Sequence, residues 1–209
     1  MGKYLEVEYP TINEHYVALL ASYLRQHYFK GKGFLLDIGA GTGHYVRAFR
    51  GLGLITHGVD RERNFESDAL PFSAQTFNYV FSKSTLEHIA NTQHILAETK
   101  RVLVDGGIAL FLVPDWNSQW RCFYDDSTHI KPFTRRGLEQ AFQLAGFSEV
   151  KCSYFYQLPF LWKRPYLGWI PRLVALLPDR FKYWKGKQVK LVRFSKEKML
   201  LLSAVKWKA

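Results

Sequence analysis

The chain has 209 residues, 47% hydrophobic and 22% charged, a balance that allows one α/β domain with a sizeable core and excludes a disordered chain. Its two cysteines, Cys122 and Cys152, lie far apart without metal-type spacing, as expected of reduced thiols rather than of a disulfide scaffold. The net charge of +11 is unevenly spread: residues 157–209 carry thirteen Lys and Arg against Asp179 and Glu197, while residues 1–156 balance to zero.

Residues 1–9 lack the apolar core of a secretory signal, and Glu6 breaks the myristoylation pattern begun by Gly2, so a cytoplasmic protein is expected. Tyr16, Leu19, Leu20, Tyr23 and Leu24 recur at helical spacing and predict a helix within residues 11–30, with Thr11 or Asn13 as its N-cap. A strand is predicted at 34–38, a helix at 44–51 and a second strand at 54–59. A short third strand is expected at 64–66, followed by a strand at 77–82 and a helix at 92–103. Gly106-Gly107 then reads as a turn into a buried strand at 108–113. Thr134 caps a helix that runs to Ala145, with Gly146 as its C′ residue. Strands at 149–156 and 199–207 complete the set; between them the apolar run 167–178 is broken by Pro171 and Arg172 and is too short to span a bilayer. The alternation predicts an α/β protein with a doubly wound, mostly parallel, seven-stranded sheet. It forms a single domain over 1–209: an N-terminal helix at 11–30, a core at 33–156, a basic aromatic insert at 157–196 and the last strand at 198–207.

Where the first strand meets its helix, Asp37-Ile38-Gly39-Ala40-Gly41-Thr42-Gly43 sets three glycines two apart behind an acid. Glycine accepts positive φ and has no Cβ, so the backbone turns tightly and a ligand can come close. A strand, a glycine turn and a helix N-terminus form a nucleotide-type site. The dinucleotide fingerprint has its third glycine one position later. A carboxylate at Asp37 would also repel a pyrophosphate, whereas it would attract an amine or a sulfonium.

The segment resembles the first motif of class I S-adenosylmethionine-dependent methyltransferases, an acid followed by x-G-x-G-x-G. Further stretches resemble that family in order: Gly58-Val59-Asp60, Ser67-Asp68-Ala69-Leu70-Pro71-Phe72, Leu86-Glu87-His88, Thr128-His129 with Phe133-Thr134, and Ala145-Gly146-Phe147. The last two are similar to markers of the small-molecule, type 11-like branch, and the likeness covers about residues 33–152. It implies a Rossmann-like fold with S-adenosyl-L-methionine as cofactor. Asp37, Gly39, Ala40, Gly41 and Gly43 would hold the methionine end, Asp60 the ribose hydroxyls, and Asp68 with Ala69 the adenine. Arg61 and Ser82 are the remaining expected cofactor contacts. Two departures stand out. Only eight positions separate Asp60 from Asp68, so a crossover helix is missing or reduced to a loop at 61–65. Asn78 replaces an Asp whose role in the family is structural.

His88 and His129 are the candidate catalytic residues, because methylation of a hydroxyl benefits from a base near neutral pKa. The competing reading is that His129 fixes its loop and Glu87-His88 pack a helix start. A quinone-biosynthesis O-methyltransferase branch binds a metal in a similar stretch through an extra Glu; that position here is Ser84, so no metal is expected. In the tail, Trp162, Tyr166, Trp169, Tyr183 and Trp184 interleave with basic residues. Such a composition suits an anionic membrane surface at residues 157–196, and less well nucleic acid. The resemblance thus implies a methyltransferase, expected to act at oxygen on a small-molecule, glycan or lipid-linked acceptor, cytoplasmic and peripheral at the membrane. Its rivals are a non-catalytic cofactor-binding protein with a membrane-binding tail, and a nucleic-acid methyltransferase.

Overall fold

The computed structural model describes residues 13–60 and 64–207; Thr11 and Arg61 lie outside them. Helix α1 (Glu14–His27) starts where the Asn13 side chain accepts from the Tyr16 amide, and it buries Val17, Leu20, Ala21 and Leu24 along one stripe. It is followed by β1 (Phe34–Ile38), α2 (His44–Gly51), β2 (Ile55–Val59) and β3 (Phe77–Lys83). Then come α3 (Thr92–Val102), β4 (Leu103–Pro114), α4 (Trp116–Gln119), α5 (Arg135–Leu144) and β5 (Phe147–Phe155). The chain continues through α6 (Pro159–Lys163), α7 (Trp169–Val174), a hairpin of β6 (Tyr183–Trp184) and β7 (Lys187–Gln188), α8 (Lys190–Lys196) and β8 (Met199–Lys206).

Six strands form the main sheet in the order β2-β1-β3-β4-β8-β5. β2, β1, β3 and β4 run parallel, while β8 lies antiparallel between β4 and β5. One face packs α3 and α5 through Ile95, Leu96, Leu138 and Phe142; the other packs α1 and α2 through Leu20, Leu24 and Phe49. Covered on both sides, β1 and the end of β4 are almost continuously apolar, as a doubly wound sheet requires.

The short third strand expected at 64–66 is absent, so the sheet has six strands rather than seven. Asp68 folds back instead, its carboxylate accepting from the Asn64 amide at 3.1 Å and the Ser67 hydroxyl at 3.2 Å, so these residues close a turn. No helix stands among the described residues between β2 and β3, in line with the short spacing from Asp60 to Asp68. This connection is pinned to α3: Glu98 accepts from the Leu70 amide, and Arg101 donates to the Leu70 and Phe72 carbonyls. The Gly106-Gly107 turn is likewise corrected. β4 begins already at Leu103, which pairs with Phe77, and the glycines form an irregularity inside the strand with Gly106 at φ 78°. Asn78 holds the sheet as expected, its Oδ1 accepting from the Phe34 amide at 2.9 Å.

Parallel strands β1, β3 and β4 end at one edge of the sheet. Because Met199 pairs with both Pro114 and Phe155, residues 156–198 leave and re-enter at that same edge. Trp162 does not belong to the exposed tail aromatics. It stacks on Phe155 with ring centroids 5.4 Å apart and donates from Nε1 to the Tyr156 carbonyl.

Candidate active site

The glycine turn sits at the end of β1, with Gly39 at φ 80°, Gly41 at 53° and Gly43, the N-cap of α2, at 77°. The Gly39 and Ala40 amides both donate to the Val59 carbonyl, at 2.8 and 3.0 Å, which binds the turn to the end of β2 and brings Asp60 beside it. A Cβ on Gly39 would lie 1.9 Å from Thr85 Oγ1, and one on Gly58 would lie 2.7 Å from the Ala40 Cβ. Gly39 is therefore demanded twice, by conformation and by space, while Gly41 and Gly43 are demanded by conformation and Gly58 by space.

Asp37 lies in register between Gly58 and Phe81, 2% exposed, and its Oδ2 has no hydrogen-bond partner. Burial, helped by the charge of Asp60, pushes its carboxyl up to about 8. A buried oxygen without a donor, facing a glycine turn, fits a ligand that brings a cation or an N–H. Ser82, paired with Ile38, is buried and donates from Oγ to the Ile38 carbonyl at 2.8 Å, so its hydroxyl serves the strand junction. Asp68 spends its carboxylate on its own turn, and its carbonyl oxygen lies 3.0 Å from His94 Nε2. Ala69 follows on the exposed loop, ahead of buried Leu70. The fold thus joins Asp37, the glycines, Asp60 and Ser82, while Asp68 is turned back on its loop.

The two histidines come together at the same edge, their rings 4.7 Å apart. His88 lies in a short turn after β3, and His129 in the long loop between β4 and α5. His88 Nδ1 is 3.0 Å from both the carbonyl and the hydroxyl of Thr128. That hydroxyl donates its own proton to Asp126 Oδ1 at 2.5 Å, so both groups accept from Nδ1 and the lone pair of neutral His88 falls on Nε2. Asp126 is held below the usual carboxylate range by the Thr128 hydroxyl and amide. His129 Nδ1 donates to the Phe123 carbonyl at 2.6 Å, which directs its Nε2 toward Glu87 Oε1 at 4.0 Å and Asp126 Oδ2 at 3.8 Å.

Glu87 is fully buried and neither carboxylate oxygen has a hydrogen-bond partner. Burial pushes it up to about 8, while the nearby backbone amides of Glu87 itself and Thr85, together with the charge of Lys83, act in the opposite direction. The ligand atoms of Glu87, His88 and His129 lie within 4.8 Å of one another, so these three are the residues that could hold a cation. Expecting no metal from Ser84 alone leaves out His129, which only the fold brings in.

Both Asp37 and Glu87 bind protons more tightly folded than unfolded. The stability they permit is fully present below the unfolded carboxylate pKa and is lost as pH rises through about 8. Glu87→Gln removes one of these liabilities. Its thermal midpoint is expected to exceed that of wild type by several degrees at about pH 9 and to match it near pH 4. An equal difference at both pH values in scanning calorimetry would contradict the assignment.

The methyltransferase domain family matches residues 12–151, two-thirds of the chain, and the chain belongs to it, as a class I S-adenosylmethionine-dependent methyltransferase fold. Among curated proteins it is 27% identical over 124 residues to an uncharacterized protein of Methanocaldococcus jannaschii, covering 53% of this chain and 58% of that one. It is 27% identical over 127 residues to the malonyl-[acyl-carrier protein] O-methyltransferase of Methylococcus capsulatus, covering 56% and 43%. The chain thus matches about half the length of these relatives. Its fold is similar to phosphoethanolamine N-methyltransferase 2 of Haemonchus contortus, solved with S-adenosyl-L-methionine: TM-score 0.62, 20% identity, 91% of this chain and 52% of that one.

Thr85, Asp126 and Thr128 belong to this candidate site, and sequence reasoning gave none of them an individual role. Thr128 was in view only as part of a motif. Its spacing two residues after Asp126 is the signature of a side-chain turn, and that signal could have found the pair.

Proposed function

We propose that this chain transfers a methyl group to a hydroxyl oxygen of a small-molecule, glycan or lipid-linked acceptor in the cytoplasm. The observation that carries the reading is the paired His88 and His129 at the same sheet edge as the glycine turn, with His88 Nδ1 fixed by Thr128. Bound cofactor would supply an electrophilic methyl group on a sulfonium. Asp37 would meet its ammonium group, the turn at Gly39, Ala40, Gly41 and Gly43 its methionine end, and Asp60 its ribose hydroxyls. Because the Asp68 carboxylate is engaged within its own loop, the adenine contact falls better to the Ala69 backbone. Arg61 and Ser82 stay in the proposal as flanking contacts.

His88 takes the acceptor hydroxyl proton on Nε2. Asp126, through Thr128, keeps its ring in the right tautomer, and His129 packs beside it with its ring tilted by 53°. A neutral amine needs no such base, so the pair favours oxygen over nitrogen. The O-methyltransferase relative supports the same atom, at a distance.

His88→Ala should lower methyl transfer from labelled cofactor to acceptors in a cell extract by about 10²- to 10⁴-fold. S-Adenosylhomocysteine affinity should remain within about twofold. Unchanged turnover in both His88→Ala and His129→Ala would count against the assignment, and cofactor binding without any turnover would favour a non-catalytic binding protein.

A further inference from the structure

The excess charge of the chain lies in a structure with its own internal logic. Its two acids are consumed inside it. Glu197, 7% exposed, accepts from Arg193 at 2.6 Å and pairs with Lys182 at 2.9 Å, while Asp179 pairs with Lys196 at 2.6 Å. These bridges tie α8 to the turn before the hairpin. Many of the other cations are left outward: Arg164, Arg172, Arg180, Lys185, Lys187 and Lys190 are exposed and have no carboxylate partner among the described residues.

Large apolar side chains stand out among them. Trp169, Leu173 and Leu176 follow at helical spacing and are 55%, 58% and 80% exposed, while Pro171 on the opposite side of α7 is buried. The hairpin projects a second such point. Lys185 and Gly186 both adopt positive φ, the backbone of a tight two-residue turn, and beside it Trp184 is 63% exposed and pairs with Lys187. Large exposed apolar side chains set among unpaired basic residues mark an interaction surface. Tryptophan and leucine among lysines and arginines match a bilayer interface, where rings enter the headgroup level and cations meet anionic lipid.

We propose that α7, its following turn and the β6–β7 hairpin form a docking surface for an anionic membrane. No helix among the described residues is long and apolar enough to cross a membrane, so contact is by an interfacial face. The segment leaves and re-enters the sheet at the edge that carries the glycine turn and both histidines. Docking therefore brings that edge to the lipid surface, where an acceptor carried on a lipid would be presented. The docking surface stands independently of the methyl-transfer reading, and only this last consequence depends on it.

Flotation of the whole chain with phosphatidylcholine vesicles, and with vesicles of equal phosphatidylcholine and phosphatidylglycerol, tests the surface. Wild type should float with the anionic vesicles at least about tenfold better than with the neutral ones. Trp169→Ala combined with Trp184→Ala should reduce that binding by about tenfold. Lys185→Glu with Lys187→Glu should reduce it similarly. Both double variants should keep wild-type S-adenosylhomocysteine affinity, which separates loss of docking from loss of fold. Three results would overturn the proposal: no flotation of wild type with anionic vesicles, binding unchanged by loss of both tryptophans, or salt-sensitive RNA binding in a gel shift without vesicle binding.

Discussion

Gly39→Ala is expected to abolish measurable cofactor binding and to lower the stability of the fold. Two costs coincide at this residue. Its φ of 80° lies in the left-handed region, where an L side chain costs about 1–2 kcal/mol. The added methyl would also sit 1.9 Å from Thr85 Oγ1, 2.6 Å from its Cγ2 and 2.8 Å from its Cβ. Thr85 cannot simply rotate away without loss, because its hydroxyl donates between the Ile38 and Lys83 carbonyls, 3.3 Å from each. Relief must come from the turn itself, which would part from the Val59 carbonyl and shift away from Asp37. Adding Thr85→Gly removes the clash and leaves the conformational cost. The double variant should therefore recover part of the affinity in a titration with S-adenosylhomocysteine. No loss in the single variant would show that the turn is not where the cofactor sits.

Cofactor affinity should rise with pH up to about 8. Asp37 is buried, and in the free protein its carboxyl is pushed up to about 8 by desolvation and by Asp60. Below that pH a proton must leave before the carboxylate can face the ammonium group of the ligand. Linkage then weakens binding by about tenfold for each pH unit below about 8 and leaves it flat above, while the amine stays charged. Proton release on binding, seen as a buffer-dependent enthalpy, is the companion signature. Asp37→Asn keeps the shape but removes the charge. It should flatten the pH profile and weaken binding by roughly ten- to hundredfold, the worth of about 1.5–3 kcal/mol for a hydrogen bond to a charged group. An Asp37→Asn protein with wild-type affinity and the same pH slope would remove Asp37 from the site.

Much of the fold was legible because it rests on local signals. Asn13 and Thr134 mark their helices by capping chemistry, and Gly146 at φ 79° ends α5 as its position suggests. The glycine spacing behind Asp37 marked the turn at the end of β1, since steric demand and positive φ coincide in one short stretch. The failures were of a different kind. Residues 64–66 read as a short strand, but the side chain of Asp68 competes successfully for the Asn64 amide. Gly106-Gly107 read as a turn because a bulge inside a strand has the same composition. Trp162 was grouped with the tail aromatics, although its ring completes the packing of Tyr16, Tyr23 and Phe155.

The two candidate catalytic histidines show the limit most plainly. His88 and His129 are 41 positions apart, and nothing local in the sequence says that Thr128 would fix one ring and Phe123 the other. That information is tertiary, created when the loop after β4 folds over the turn after β3. Glu87 illustrates the same point. Its identity was visible, but its complete burial without a hydrogen bond was not, and that burial is what gives it chemical interest.

The measurement that bears most directly on the central claim is isothermal titration of wild type and Asp60→Ala with S-adenosylhomocysteine. The geometry predicts one site per chain in wild type and at least about tenfold weaker binding in Asp60→Ala, which loses a carboxylate able to accept two ribose hydroxyls. Absence of binding by wild type, or equal affinity of the two proteins, would contradict it.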